Sequence, residues 1–220
     1  MLALMQLIAS NEVGNLNVKH LKRYWHKHSL IYNGEIKETD LPNEWNIDTT
    51  LLGILNLGLE QTIKYLYSEK PSFEEFETKI LALNNGVLHA EKVEKFNDYI
   101  DTRLIAYVPN NKQEQVLLES DMNFWNENGY IILRNAVSKE DCENTIDAIC
   151  NFIKVDRYNS STWYTPHIAK QGIMVQLFQH PALEKNRNSP IIRKAYEQLW
   201  QRRDLWINAD RVGFNPPETE

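Results

Sequence analysis

The last stretch of the chain constrains its fold most. From Leu205 the residues Trp206, Ile207, Val212 and Phe214 make one β-prone run that stops at Pro216-Pro217, three residues before the chain ends. Proline has no N–H to give to a ladder, so the run ends there. A strand that stops so abruptly suggests a sheet cut off partway. Two earlier runs are candidates, residues 130–134 (Tyr-Ile-Ile-Leu-Arg) and 173–178. Three strands leave at least one unpaired edge, and an open edge templates association. The expectation is an incomplete sheet that self-associates.

Everything before residue 109 reads as helix. Residues 17–29 are amphipathic, with Leu21, Tyr24 and Trp25 on one stripe. Asp48 is a plausible cap for a helix through residue 67, with Leu51, Leu52, Leu55, Leu59, Ile63 and Leu66 at helical spacing, although Gly53 and Gly58 fall inside it. Ser72 and Glu75 form a capping box for a helix to about residue 83, and another helix covers 90–100. Residues 109–112 look like a linker. Beyond it the chain is mixed: a helix over 113–126, a turn at Asn128-Gly129, a helix from Ser138 to about 154, and a helix from Ser189-Pro190 to about 200. The expected class is α+β, with a helical region over 1–108 and a mixed domain over 113–220.

The 220 residues carry a formal charge of −6, which argues against a nucleic-acid surface. The basic run Lys19-His20-Leu21-Lys22-Arg23 reads as a solvated helix face. No apolar run approaches the roughly 20 residues of a membrane-spanning helix, and residues 1–9 lack the basic start of a signal peptide. Cys142 and Cys150 share one predicted helix and lie about 12 Å apart along it, too far for a disulfide. Two unbridged thiols fit a reducing, cytoplasmic setting.

No phosphate-binding glycine loop, nucleophile elbow or Cys-x-x-Cys pair is present. His26 and His28 sit about 200° apart on a helix and cannot share an ion, so both read as surface residues. His89-x-Glu91 falls at a helix start, where Glu91 complements the dipole. His167 and His180 could converge on a metal, but neither has a carboxylate at ligand spacing, and His180-Pro181 reads as a turn. Trp163, Tyr164, Trp200 and Trp206 could line a ligand cavity or belong to the core. Arg211, beside Val212 and Phe214 on the last strand, needs an anionic partner, either a protein acid such as Asp204 or Glu143 or a ligand.

Five segments together carry a resemblance. They are Phe124-Trp125-x-x-Asn128-Gly129-Tyr130-Ile131-Ile132-Leu133-Arg134-Asn135, Ser138-Lys139-Glu140-Asp141-Cys142, Met174-Val175-Gln176-Leu177-Phe178-Gln179-His180-Pro181-Ala182, Arg203-Asp204-Leu205-Trp206, and Arg211 to Pro217. In order and spacing they resemble the phytanoyl-CoA dioxygenase-like family of iron(II)/2-oxoglutarate oxygenases, over residues 113–220. The helical region is similar to an N-terminal extension of some bacterial members.

The resemblance implies a double-stranded β-helix (jelly-roll) core, Fe(II) and 2-oxoglutarate as cofactors of a full-length parent, and hydroxylase-type oxidation of a small-molecule substrate. Members hold iron with His-x-Asp and a later His. This chain has no His-x-Asp, and the family places that pair just after the strand that ends at Pro217. The chain is therefore expected to be the N-terminal portion of such an oxygenase, inactive alone and with no metal site. Arg211 matches a strand position where relatives carry an arginine facing the active site, and Gln176 is a looser match, so both are the expected cofactor-binding residues. The alternative is a non-catalytic binding or interaction module derived from the same fold. A small-molecule substrate is expected for the parent, with no nucleic-acid or membrane partner.

Overall fold

The computed structural model describes residues 7–102 and 115–217. The chain divides into two compact units, Met1–Ile105 and Ala106–Glu220.

The first unit contains α1 (Leu21–Tyr32), α2 (Trp45–Ile54), α3 (Leu59–Glu69), α4 (Phe73–Leu83) and α5 (Ala90–Thr102). α1 packs on α3 and α4, and α2 on α5. Leu21, Tyr24, Leu51, Leu55, Phe76, Ile80 and Phe96 fill the core. The single helix expected over 48–67 is two. Leu57 N–H bonds Leu52 O (2.8 Å) and Asn56 N–H bonds Gly53 O (3.2 Å), closing α2 around Asn56 at φ 52°. Asparagine is the commonest substitute for glycine in this left-handed stop. Gly58 then opens α3 at its cap position rather than lying inside a helix. Asn84, which closes α4, donates from its side chain to Leu55 O and Ile80 O, tying the two helix ends together.

The capping box of α4 forms as read: Ser72 N–H donates to Glu75 (2.7 Å) and Glu75 N–H to Ser72 Oγ (3.3 Å). Glu77, one turn on, is buried and accepts the N–H groups of Asn15 and Leu16. A Cβ at Gly14 would come within 2.5 Å of that carboxylate and 2.3 Å of Phe73, so only glycine lets the segment approach this closely.

The second unit contains α6 (Glu119–Asn128), α7 (Lys139–Ile153), β1 (Lys170–Gln171), β2 (Met174–Val175), α8 (Pro181–Arg187), α9 (Pro190–Trp200) and β3 (Val212–Gly213). The strands form an antiparallel sheet in the order β1-β2-β3. Ser138 and Ser189 cap α7 and α9 with their hydroxyls, as the sequence implied. Gly129 closes α6 at φ 75°. Ile149, Cys150, Ile153, Val155, Val175, Leu177 and Leu183 form the core, with Trp163, Val212 and Phe214 packed against it.

The class is α+β, as expected, but the β content is small. Residues 130–133 form no regular element and pair with no strand among the described residues, so the first expected strand is not in the sheet. The second shrinks to β2, because Leu177 N–H turns back to Val175 O (2.8 Å) at Gln176. The last shrinks to β3. His180 does not make a turn with Pro181; its ring caps α8. The linker 109–112 and the start of the helix expected at 113 lie outside the described residues. Among the described residues, no helix is long and apolar enough to cross a membrane. Cys142 is exposed and Cys150 buried, and both are free.

Candidate functional site

β3 places Arg211. Val212 pairs with Val175 and packs on the α7–α8 core, so alternation turns Arg211 and Gly213 to the other side of the sheet. Met174, the register partner of Gly213, and Gln171, the partner of Met174, share that side. Arg211 Nη1 donates to Gln171 Oε1 (2.9 Å), and its Nε lies 4.0 Å from Asp210 Oδ1. The two acids named as alternatives are held by other arginines: Asp204 by Arg202 and Glu143 by Arg157. Gly213 has no atom within 4 Å of the place its Cβ would take, so the surface beside Arg211 is open.

The other expected residues make contacts of their own. Gln176 sits at the turn that ends β2 and uses its N–H on Ala169 O (2.9 Å). His167 Nδ1 accepts from Ala169 N–H (3.1 Å) and His180 Nδ1 from Ala182 N–H (3.2 Å), so the first imidazole braces the turn before β1 and the second caps α8. Trp163 donates from Nε1 to Asp156 O (2.9 Å) at the core margin, and Tyr164 donates to Pro217 O. Trp200 and Trp206 line a separate groove.

One set of chemically capable residues escaped the sequence reading. In the first unit His20, Glu44 and Asp48 bring ligand atoms within 4.8 Å of one another, the one such set of three among the described residues. His20 is fully buried, its backbone at φ 66°, with Nδ1 2.9 Å from Ser10 Oγ and Nε2 3.0 Å from Asp48 Oδ1. Lys27 bonds Asp48 and also Glu44 (3.3 Å), and Arg23 bonds Glu44 through Nε and Nη2. Burial alone would raise the Glu44 carboxyl; the hydrogen bond from Arg23 and the charges of Lys27 and Arg23 outweigh it and hold the group below its ordinary value.

This set does not fit a metal, because the Lys27 ammonium already bridges the two carboxylates. Two acids are matched by two cations of the chain itself, and a bound ion would have to expel a lysine side chain that is 3% exposed. The basic run at 19–23 is accordingly no solvated face: Lys19 pairs with Asp101, Lys22 with Glu12 and Arg23 with Glu44, while His20 and Leu21 are buried. Only the i, i+4 spacing of Glu44 and Asp48 is visible in sequence; His20 reaches Asp48 from 28 residues away.

His28, expected at the surface, is buried too. Its Nδ1 meets Tyr67 OH (3.2 Å), and burial first, then the neighbouring Lys27 charge, lowers its pKa to about 4. His26 Nδ1 accepts from Ile8 N–H (3.3 Å). His89 is exposed just before α5, with Glu91 in the first turn.

The chain is 28% identical over 107 residues to a protein of Dictyostelium discoideum named "Putative phytanoyl-CoA dioxygenase". That match covers 43% of this chain and 30% of the relative, so the chain spans about a third of the relative's length. No family model and no solved structure matches.

Proposed function

We propose that the second unit is the N-terminal portion of a jelly-roll oxygenase core of the phytanoyl-CoA dioxygenase-like type, with residues 1–108 as its helical extension. One observation carries the reading: the sheet separates Val212, on the helix-packed side, from Arg211 and Gly213 on an open side. A jelly-roll oxygenase needs this division, with one face of the sheet covered by helices and the other lining a ligand cavity. The partial likeness to the Dictyostelium relative supports the same reading.

Arg211 then holds a carboxylate, of 2-oxoglutarate or of an acidic small-molecule substrate, through its guanidinium fork. Gln176, at the margin of the same sheet, is the second expected contact. The residues described here do not fit iron: His167 and His180 are committed to backbone capping, and the His20 set is filled by Lys27. No catalytic step is therefore assigned to this chain, and its metal ligands would come from residues beyond Pro217. Among the described residues no further strand lies on the outer edges of β1 and β3, which supports self-association of the chain by itself. The alternative module reading predicts that no longer product gains activity.

The test is iron- and 2-oxoglutarate-dependent succinate formation, comparing residues 1–220 with the product of the same reading frame extended past residue 220. The reading predicts turnover by the extended product and none by 1–220. Turnover by neither would favour the non-catalytic module.

A further inference from the structure

The second unit holds a groove of about 620 Å³ that no part of the oxygenase reading uses. Its volume falls within the roughly 300–1,000 Å³ of small-molecule sites. The groove arises because α9 stops on Gln201 at φ 53°, with Arg202 N–H bonded back to Glu197 O (3.1 Å), so that residues 205–208 return along the helix. Ile192, Tyr196 and Trp200 recur every four residues on α9 and form one wall. Leu205, Trp206 and Ile207 form the other. Tyr196 and Trp200 are 55% and 61% exposed, a large aromatic surface left in water at the lip.

Charge at the groove is unbalanced toward the positive. Glu197 is buried and has two arginines, Arg193 (2.9 Å) and Arg203 (3.8 Å), for its single charge. Arg193 lines the groove. It spends Nε on Glu197 and Nη2 on Arg203 O, and its Nη1 meets no partner among the described residues. The groove thus combines flat apolar walls with a cation that has donors to spare.

We propose that this groove binds a small amphipathic anion, an aryl or acyl carboxylate whose apolar body lies on Tyr196, Trp200 and Trp206 and whose acid group meets Arg193. Aromatic walls contribute through contact area and the guanidinium through charge-assisted hydrogen bonds. This inference is independent of the oxygenase reading, because every residue it uses lies on α9 or in the segment that follows it.

The test is fluorescence titration of residues 1–220 with anilinonaphthalene sulfonate, an aryl anion, and with its uncharged phenylnaphthylamine analogue. Saturable one-site binding of the anion is expected. Trp200→Ala should weaken both probes by about tenfold or more, and Arg193→Gln should weaken the anion about fivefold while sparing the neutral analogue. Trp200 is well exposed, whereas Arg193→Gln leaves the buried Glu197 to Arg203 alone, so unchanged circular dichroism and urea unfolding of each variant verify that the fold is kept. Absence of saturable binding, binding indifferent to Trp200→Ala, or equal losses for both probes in Arg193→Gln would overturn the proposal.

Discussion

Arg211 donates from Nη1 to the side-chain oxygen of Gln171 across 2.9 Å, on the side of the sheet away from the helices. The contact is to a neutral amide, which a carboxylate can displace with a gain in charge pairing. In an active extended protein, Arg211→Lys keeps the charge and loses the fork. The Michaelis constant for 2-oxoglutarate or for an acidic substrate should rise about tenfold, with a smaller change in kcat. Unchanged constants for both would remove Arg211 from the ligand site.

Residues 1–220 alone should bind iron(II) no better than any protein with a few accessible histidines. Anaerobic calorimetric titration measures this directly. A stoichiometric site of micromolar affinity or better would contradict the account. If His20→Ala then abolished it, Lys27 would have to leave the His20–Glu44–Asp48 cluster on binding.

The same cluster should matter to stability. Asp48→Ala leaves the ammonium of Lys27 buried beside one fewer carboxylate. Removing one partner of a buried ion pair costs about 3–5 kcal/mol. Urea unfolding of the first unit, followed by hydrogen exchange of α1 and α2 amides, should show a loss of that order. A loss below about 1 kcal/mol would mean that water reaches the cluster freely.

Part of this structure was open to a reader of the sequence. Ser72 with Glu75, Ser138, and Ser189 with Pro190 mark helix starts by chemistry confined to one turn, and each forms as expected. The stop at Asn56 was hidden because the leucines on either side keep helical spacing through it, and apolar periodicity carries no information on one left-handed residue. The strand at 130–134 had the right composition, but a ladder also needs a partner, which propensity does not supply. His20 was misread for a related reason. Its burial depends on Asp48 and Ser10, which only tertiary folding brings to it.

His28 should make the first unit sensitive to acid. In the unfolded chain an imidazole takes its proton near 6.5, whereas folded His28 takes it only near 4. Between those values the unfolded state binds more protons, so stability present above pH 6.5 is lost as the pH falls toward 4. The full loss is about 3 kcal/mol. His28→Gln should flatten that portion of the stability profile measured by urea unfolding at pH 7 and at pH 4.5. An unaltered profile would show that His28 is not the group responsible.

The Arg211 side of the sheet is the proposed ligand side of an oxygenase core. A crystal structure of the extended protein, grown without oxygen in the presence of iron(II) and 2-oxoglutarate, tests it most directly. Further strands should complete a jelly roll around β1–β3, with metal and 2-oxoglutarate on the Arg211 side and α7 against Val212. A metal bound on the Val212 side, or a completed fold that leaves Arg211 in bulk solvent, would contradict it.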